Sequence, residues 1–104
     1  MKEKFLHAID NKLKISITFN AKKKGQITRE CIPFDFGASQ KIDAINKIEK
    51  YHIWDLNSPD GPHNLALNPD EVIEIEVLNE NFDPADYVTW QPKWIYKRDW
   101  GNKS

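Results

Sequence analysis

A strict alternation of apolar and polar residues near the start of the chain constrains the fold most. Every second residue is apolar in the run Leu13, Lys14, Ile15, Ser16, Ile17, Thr18, Phe19. Side chains of a β-strand point alternately to its two faces, so this pattern predicts a strand with one face buried and the other in water. Because a single strand is not stable alone, the protein is expected to be built around a sheet.

The rest of the chain supplies further elements of the same kind. Apolar residues at helical spacing predict one short helix over 1–12. Strand patterns follow over 26–32, 48–56, 64–67 and 72–78, separated by turn-forming residues. Several short strands after one helix favour a mainly β (α+β) fold, a small antiparallel barrel. We expect a single domain over 1–104, with its strands within 13–80 and an aromatic-rich tail over 81–104.

Two stretches interrupt these strand patterns. Pro33 lacks a backbone N–H and is expected to end or kink the strand over 26–32. The stretch 34–50 is ambiguous between a helical turn and a loop that enters a strand, and the helical spacing rests on Ile42, Ile45 and Ile48.

The strand over 72–78 alternates in the same way as the first strand. Its residues expected to face the core are Ile73, Ile75 and Val77. The intervening Glu74 and Glu76 are expected to face water, which gives this strand an acidic exposed face.

The net charge of −1 conceals an uneven distribution. Residues 1–50 hold eleven Lys and Arg against six Asp and Glu, a net charge of +5, whereas residues 51–104 hold four against ten, a net charge of −6. This segregation predicts one basic and one acidic face, unless the two halves interleave so that their charges pair.

Several classes of protein are disfavoured. No apolar run approaches the roughly 20 residues that a membrane span requires, and the N-terminus lacks the long apolar stretch of a signal peptide. A cytoplasmic protein is therefore expected. The single cysteine, Cys31, excludes an internal disulfide and a cysteine zinc cage, and its strand position predicts a buried, inert thiol. Neither a catalytic triad pattern nor a glycine-rich phosphate loop is present. We therefore expect no enzyme, no cofactor and no metal.

Five segments, in order, resemble parts of WYL domains. They are residues 6–19, 28–33, 51–56, 65–76 and 82–84. The resemblance implies an SH3-like or Sm-like barrel that senses a ligand, commonly nucleic acid or a nucleotide, in bacterial transcription regulators and defence systems. The residues before the first strand are too few for that family's attached helix-turn-helix, so a freestanding sensor domain is expected.

The cations of the first half are the first candidates for ligand binding. A guanidinium such as that of Arg29 can hold a phosphate through two parallel hydrogen bonds, although a structural ion pair, for example with Asp55, is the alternative. Lys22, Lys23 and Lys24 form a positive loop that can attract a nucleic-acid backbone, or they are simply solvated turn residues.

Histidines and aromatic residues around the predicted hairpin over 51–67 are further candidates. His52 and His63 lie on segments predicted to pair across it, so they could approach each other and either titrate together or contact phosphate. A metal site would need a third ligand, and ordinary hydrogen-bonded histidines are preferred. Trp54, beside Tyr51, either stacks against a base or fills the core.

The tail interleaves aromatic and basic residues over 93–100. This composition is typical of a nucleic-acid or partner-binding segment, but the tryptophans can equally form a lid on the sheet. Two functions remain open. The first is a non-catalytic sensor of nucleic acid or a nucleotide, and the second is an SH3-like protein-interaction or dimerisation module that uses the acidic face and the tail.

Overall fold

A computed structural model describes residues 1–21, 24–38 and 48–104 of the chain. Its main elements, in chain order, are α1 (Lys2–Asn11), β1 (Leu13–Ala21), β2 (Gly25–Ala38), β3 (Glu49–Asp55), β4 (His63–Leu67), β5 (Val72–Asn81) and α2 (Pro84–Tyr87). The strands form one antiparallel sheet in the order β4-β3-β2-β1-β5. The expected small, mostly antiparallel β fold with an N-terminal helix is therefore confirmed.

The core lies between α1 and one face of the sheet. Alternate residues of β1 are buried, as the sequence predicts, and pack with the apolar side of the helix. The helix supplies Phe5, Ala8 and Ile9, and β3 supplies Tyr51 and Ile53. The rings of Phe5 and Tyr51 meet edge to face with their centroids 4.9 Å apart.

Within the described residues, no helix is long and apolar enough to cross a membrane.

Of the two outcomes expected at Pro33, an end and a kink, strand β2 does not show the first, because it continues past Pro33 through an irregularity. Pro33 pairs with Ile53, and a register shift between Pro33 and Asp35 places a bulge at Phe34. Proline is tolerated in a sheet beside a bulge, where the ladder of hydrogen bonds is already interrupted. The strand consequently runs on to Ala38, and every residue over 31–37 is buried.

The two halves of β2 have different partners. Residues up to Cys31 pair with β1, and residues from Cys31 onwards pair with β3. The unbroken burial of the second half means that both of its faces are covered, which distinguishes it from the half-exposed β1. Of the isoleucines proposed for a helical turn, Ile42 and Ile45 lie outside the described residues, and Ile48 is exposed.

Strand β5 departs from its predicted alternation at one residue. Phe19 pairs with Val72 and Thr18 pairs with Glu74, so Ile73 is the extra residue of a bulge. Val72 and Ile75 are buried, whereas Ile73 is 45% exposed. The predicted burial of Ile73 is therefore wrong, because the bulge moves Val72 onto the buried face in its place.

The helix ends at a residue with unusual backbone geometry. Lys12 has φ 54° and ψ 49°, and its N–H donates to the carbonyls of Ala8 and Ile9. Its own carbonyl accepts from Phe82 N at 2.9 Å, which ties the end of the helix to the end of β5. A left-handed residue after a helix is usually glycine, since a Cβ is strained there.

Replacing Lys12 by glycine is expected to stabilise the protein. Removal of the Cβ relieves the strain of the left-handed conformation. The greater conformational entropy of glycine in the unfolded chain offsets part of this effect, so the free energy of unfolding should rise by about 0.5–1 kcal/mol. Urea unfolding would measure the change in the free energy of unfolding. The control Lys14→Gly, within β1, is expected to lower that free energy; equal effects of both changes would contradict the explanation.

Candidate functional site

The buried carboxylate of Asp35 holds the tail against strand β2. Asp35 is 7% exposed and lies on β2 just beyond the bulge. Its Oδ2 accepts from Ile95 N at 2.8 Å, and its Oδ1 accepts from Tyr96 N at 2.9 Å and from Phe36 N at 2.9 Å. A buried carboxylate is stable only when its oxygens are satisfied in this way. Asp35 therefore fixes the path of the tail across the sheet.

Arg98 provides the opposite charge. Its side chain is fully buried, and its Nη2 donates to Asp35 Oδ1 at 3.0 Å. Further guanidinium hydrogen bonds reach the carbonyls of Phe34 and Tyr96. The guanidinium carbon lies 4.3 Å from the ring centroid of Trp94 and 4.5 Å from that of Trp100. Burial lowers the pKa of Arg98 to about 10 despite the opposing effect of Asp35, so the group is still charged at neutral pH.

The aromatic residues of the tail contact the helix as well as the sheet. Trp100 is 3% exposed and donates through Nε1 to the carbonyl of Ile9 at 2.8 Å. The Tyr96 hydroxyl donates to Asp10 at 2.8 Å. A Cβ at Gly37 would lie 2.5 Å from Ile95 Cγ2, so the tail approaches β2 closely. Of the two alternatives for the tail, a lid and an exposed interface, these contacts describe a lid.

The docked tail and the sheet enclose a groove of about 420 Å³, which we call the aromatic groove. It is lined by Phe34, Asp35, His52, Asn64, Leu65, Ala66, Trp90, Lys93 and Trp94. Trp90 is 42% exposed, and its ring meets those of Phe34 and Trp94 edge to face at centroid distances of 5.9 and 6.4 Å. The groove thus combines an accessible indole with the ammonium group of the exposed Lys93.

The two predicted histidines do not meet. His52 lies opposite Ala66, on the face of β3 that bears the aromatic groove, with Nε2 3.0 Å from the carbonyl of Gly37. His63 lies opposite Asp55 on the other face, with Nδ1 3.0 Å from the carbonyl of Gly61. Their expected approach across the hairpin is wrong, because the register places them three positions apart and on opposite faces. The described residues contain no cluster of metal-ligating side chains.

Arg29 is held by structural partners. Its Nη1 donates to the carbonyl of Asn57 at 2.7 Å, and its Nε lies 3.8 Å from the carboxylate of Asp55, which is buried. Asp55 also accepts from Asn57 N at 2.9 Å, so the three residues join β2 to the turn after β3. Arg29 does not line the aromatic groove. The geometry favours the ion pair over the phosphate contact.

Two further sequence candidates that the structure describes, Trp54 and Lys24, do not line the groove. Trp54 is half-buried and packs against Phe34, with ring centroids 6.0 Å apart. Lys24 is exposed in the turn between β1 and β2. Lys22 and Lys23 lie outside the described residues.

Sequence reasoning missed most of the groove. Trp90, Lys93 and Trp94 belong to the tail that the mixed aromatic and basic pattern singled out, but their assembly with Asn64 was not foreseen. Asp35 lies in the stretch that gave no clear secondary-structure pattern. Its signal was available, however, because a lone acid within the run Pro33 to Gly37 of otherwise uncharged residues needs a buried partner.

Cys31 is fully buried, and burial raises the pKa of its thiol well above the ordinary value. A thiol held in this form is a poor nucleophile.

Comparisons with known proteins give no further identification: the chain matches no protein-family model, no curated protein and no solved structure.

Asp35→Asn is expected to lower the free energy of unfolding by about 3–5 kcal/mol, because it leaves Arg98 charged, buried and unpaired. The asparagine NH₂ would also face a tail N–H group that now donates to the carboxylate, so two hydrogen-bond donors would meet. Urea unfolding followed by tryptophan fluorescence would measure the loss. Asp99→Asn, at an exposed acid of the same tail, is the control and should change stability by less than about 0.5 kcal/mol. A loss below about 1 kcal/mol for Asp35→Asn would show that the pair does not hold the tail.

Proposed function

We propose that this protein is a non-catalytic sensor or regulatory domain that binds nucleic acid or a nucleotide in the aromatic groove. The observation that carries the proposal is the position of the exposed Trp90 beside Lys93 and His52 in one groove. Bases stack on exposed aromatic rings, and a neighbouring ammonium attracts the phosphate that each nucleotide carries. A volume near 420 Å³ falls within the range of small-ligand sites.

The electrostatics of the groove favour an anionic ligand. Asp35 is the one acid among its lining residues, and its charge is balanced by Arg98. A second cleft of about 440 Å³ shares Lys93 and Trp94 with the groove and adds Lys97. Two clefts that share Lys93 and Trp94 as lining residues suit a nucleic-acid strand that contacts both, with its bases on the aromatic rings.

The finer fold assignment, an SH3-like or Sm-like barrel of WYL type, is part of this proposal. A further groove is lined by the end of β1 (Phe19–Ala21), by Lys50 of β3 and by Leu65–Leu67 of β4. Since β1 and β4 are three positions apart in the sheet order, a flat sheet would separate them by roughly 14 Å. Their sharing of one groove supports a sheet that curls towards closure.

Binding is expected to be measurable by fluorescence anisotropy with a labelled single-stranded oligonucleotide, in competition with a mononucleotide. Trp90→Ala is expected to weaken binding about tenfold or more, in line with the loss of one stacked base. Lys93→Ala should weaken it less and reduce its salt dependence, since one phosphate contact is lost.

Two control variants separate the groove from the rest of the surface. Ile73→Ala changes an equally exposed apolar residue on β5 and should leave affinity unchanged. Arg29→Ala is expected to lower stability without a specific loss of affinity in the folded fraction. Salt-independent binding, no binding, or an equal effect of Ile73→Ala and Trp90→Ala would overturn the proposal.

A protein-interaction role is the second candidate, and one observation favours it. Ile73 is exposed on an edge strand beside the exposed Glu74 and Glu76. An apolar residue flanked by acids can meet a basic, apolar partner surface. The Trp-rich tail contributes less to such a role, because Trp100 is buried in the domain.

A further inference from the structure

The hydrogen bond made by His52 decides which of its ring nitrogens carries the proton. Nε2 lies 3.0 Å from the carbonyl oxygen of Gly37, and a carbonyl oxygen only accepts hydrogen bonds. Nε2 is therefore the donor, and Nδ1 of the neutral ring holds a lone pair instead of a proton. Among the residues that the structure describes, none forms a hydrogen bond with Nδ1. The neutral ring thus presents an acceptor, which does not attract the oxygens of a phosphate.

Protonation reverses the role of this atom. Because Nε2 already holds a hydrogen, an added proton goes to Nδ1 and converts it from an acceptor into a charged donor. Charge-assisted hydrogen bonds to phosphate are stronger than neutral ones. Histidine is the side chain whose charge ordinarily changes between pH 5 and 8. Since His52 lines the aromatic groove, its protonation adds a positive charge to the wall of that groove.

The other charged groups around His52 come from three elements. Asp35 lies opposite it on β2 and is paired with Arg98 of the tail. Lys93 of the tail lines the same groove, and Lys50 lies two positions before His52 on β3. The residue opposite on β4 is an alanine. Lysine and arginine ordinarily keep their charge between pH 5 and 8, and the one carboxylate is already paired. His52 is therefore the group of this set that can change the charge of the groove.

We infer that the aromatic groove binds nucleic acid more tightly as the pH falls from about 7.5 to about 5.5, because His52 then donates through Nδ1 to a phosphate oxygen. The inference rests on the proposed function and adds how binding at that site is regulated. One additional contact of this kind should raise affinity about three- to tenfold. For a single strand it should also steepen the dependence of log K on log salt by about 0.7.

Fluorescence anisotropy of the full chain with a labelled single-stranded oligonucleotide, at pH values of about 7.5 and about 5.5, tests the inference. The oligonucleotide needs hydroxyl ends, because a terminal phosphate itself titrates near pH 6. Its label needs fluorescence that does not depend on pH. Affinity is expected to rise at the lower pH, and the salt dependence is expected to become steeper there.

His52→Gln is the test variant. Its NH₂ group can donate to the carbonyl of Gly37 in place of Nε2, but glutamine does not take up a proton. The rise in affinity and the steeper salt dependence should therefore disappear. His63→Gln is the matched control, since His63 lies on the other face of the β3 and β4 hairpin, and it should keep both effects. Urea unfolding at each pH would verify that both variants are folded.

Nitrogen NMR of the ligand-free chain gives an independent measurement. His52 is expected to carry its hydrogen on Nε2 at about pH 8 and to gain the second one on Nδ1 as the pH falls. A rise in affinity below about threefold, a rise that His52→Gln retains or His63→Gln abolishes, or a hydrogen on Nδ1 of the neutral ring would overturn this inference and leave the proposed function standing. An absence of binding at both pH values would overturn the proposed function, and this inference with it.

Discussion

The pairing of Asp35 with Arg98 is the interaction on which the outer layer of this small domain depends. Two buried charges 63 residues apart in sequence are costly to remove from water, and they are tolerated here because nearly every polar atom around them is bonded. The carboxylate accepts hydrogen bonds from two tail N–H groups as well as from the guanidinium, and the guanidinium carbon lies within 4.5 Å of the ring centroids of two indoles. The pair therefore favours one position of the tail, because a tail in a different position would leave a buried charge without a partner.

The same pairing explains why structure and binding surface are inseparable in the tail. Trp94 stacks on the buried guanidinium and also lines the aromatic groove. Trp90 contacts Phe34, whose carbonyl accepts from Arg98. Aromatic residues that would be exposed on an undocked tail are thereby divided into a buried group and an accessible one.

Periodicity in the sequence was sufficient to predict the helix and the strands, but it was not sufficient to predict how the strands align with one another. The helix before β1, the alternation within β1 and the hairpin of β3 and β4 follow from local patterns. The burial of Ile73 was misjudged, and the choice between an end and a kink at Pro33 was left open, because both positions are decided by bulges and a bulge depends on how the partner strand aligns. A single sequence carries no local signal for that alignment.

The candidate site was predictable in composition but not in assembly. Arg29 is a plausible phosphate ligand by residue type, yet Asp55 and Asn57 engage it from the far end of the neighbouring strand. Among the candidate residues that the structure describes, His52 alone lines the groove; Lys93 belongs to the aromatic and basic tail pattern, and Asn64 comes from a segment without a motif. Contacts between distant segments decide which polar residues remain available to a ligand, and a local sequence pattern does not reveal those contacts.

The acidic, bulged β5 has a consequence for growth of the sheet beyond one molecule. Continuous stacking of strands into a fibre requires that both ends of every sheet accept a neighbour. Here the bulge twists one end out of line and its glutamates repel an identical strand, so addition can proceed from one side alone. A sheet of this kind is a poor template for cross-β polymerisation, even in a chain rich in β-branched and aromatic residues.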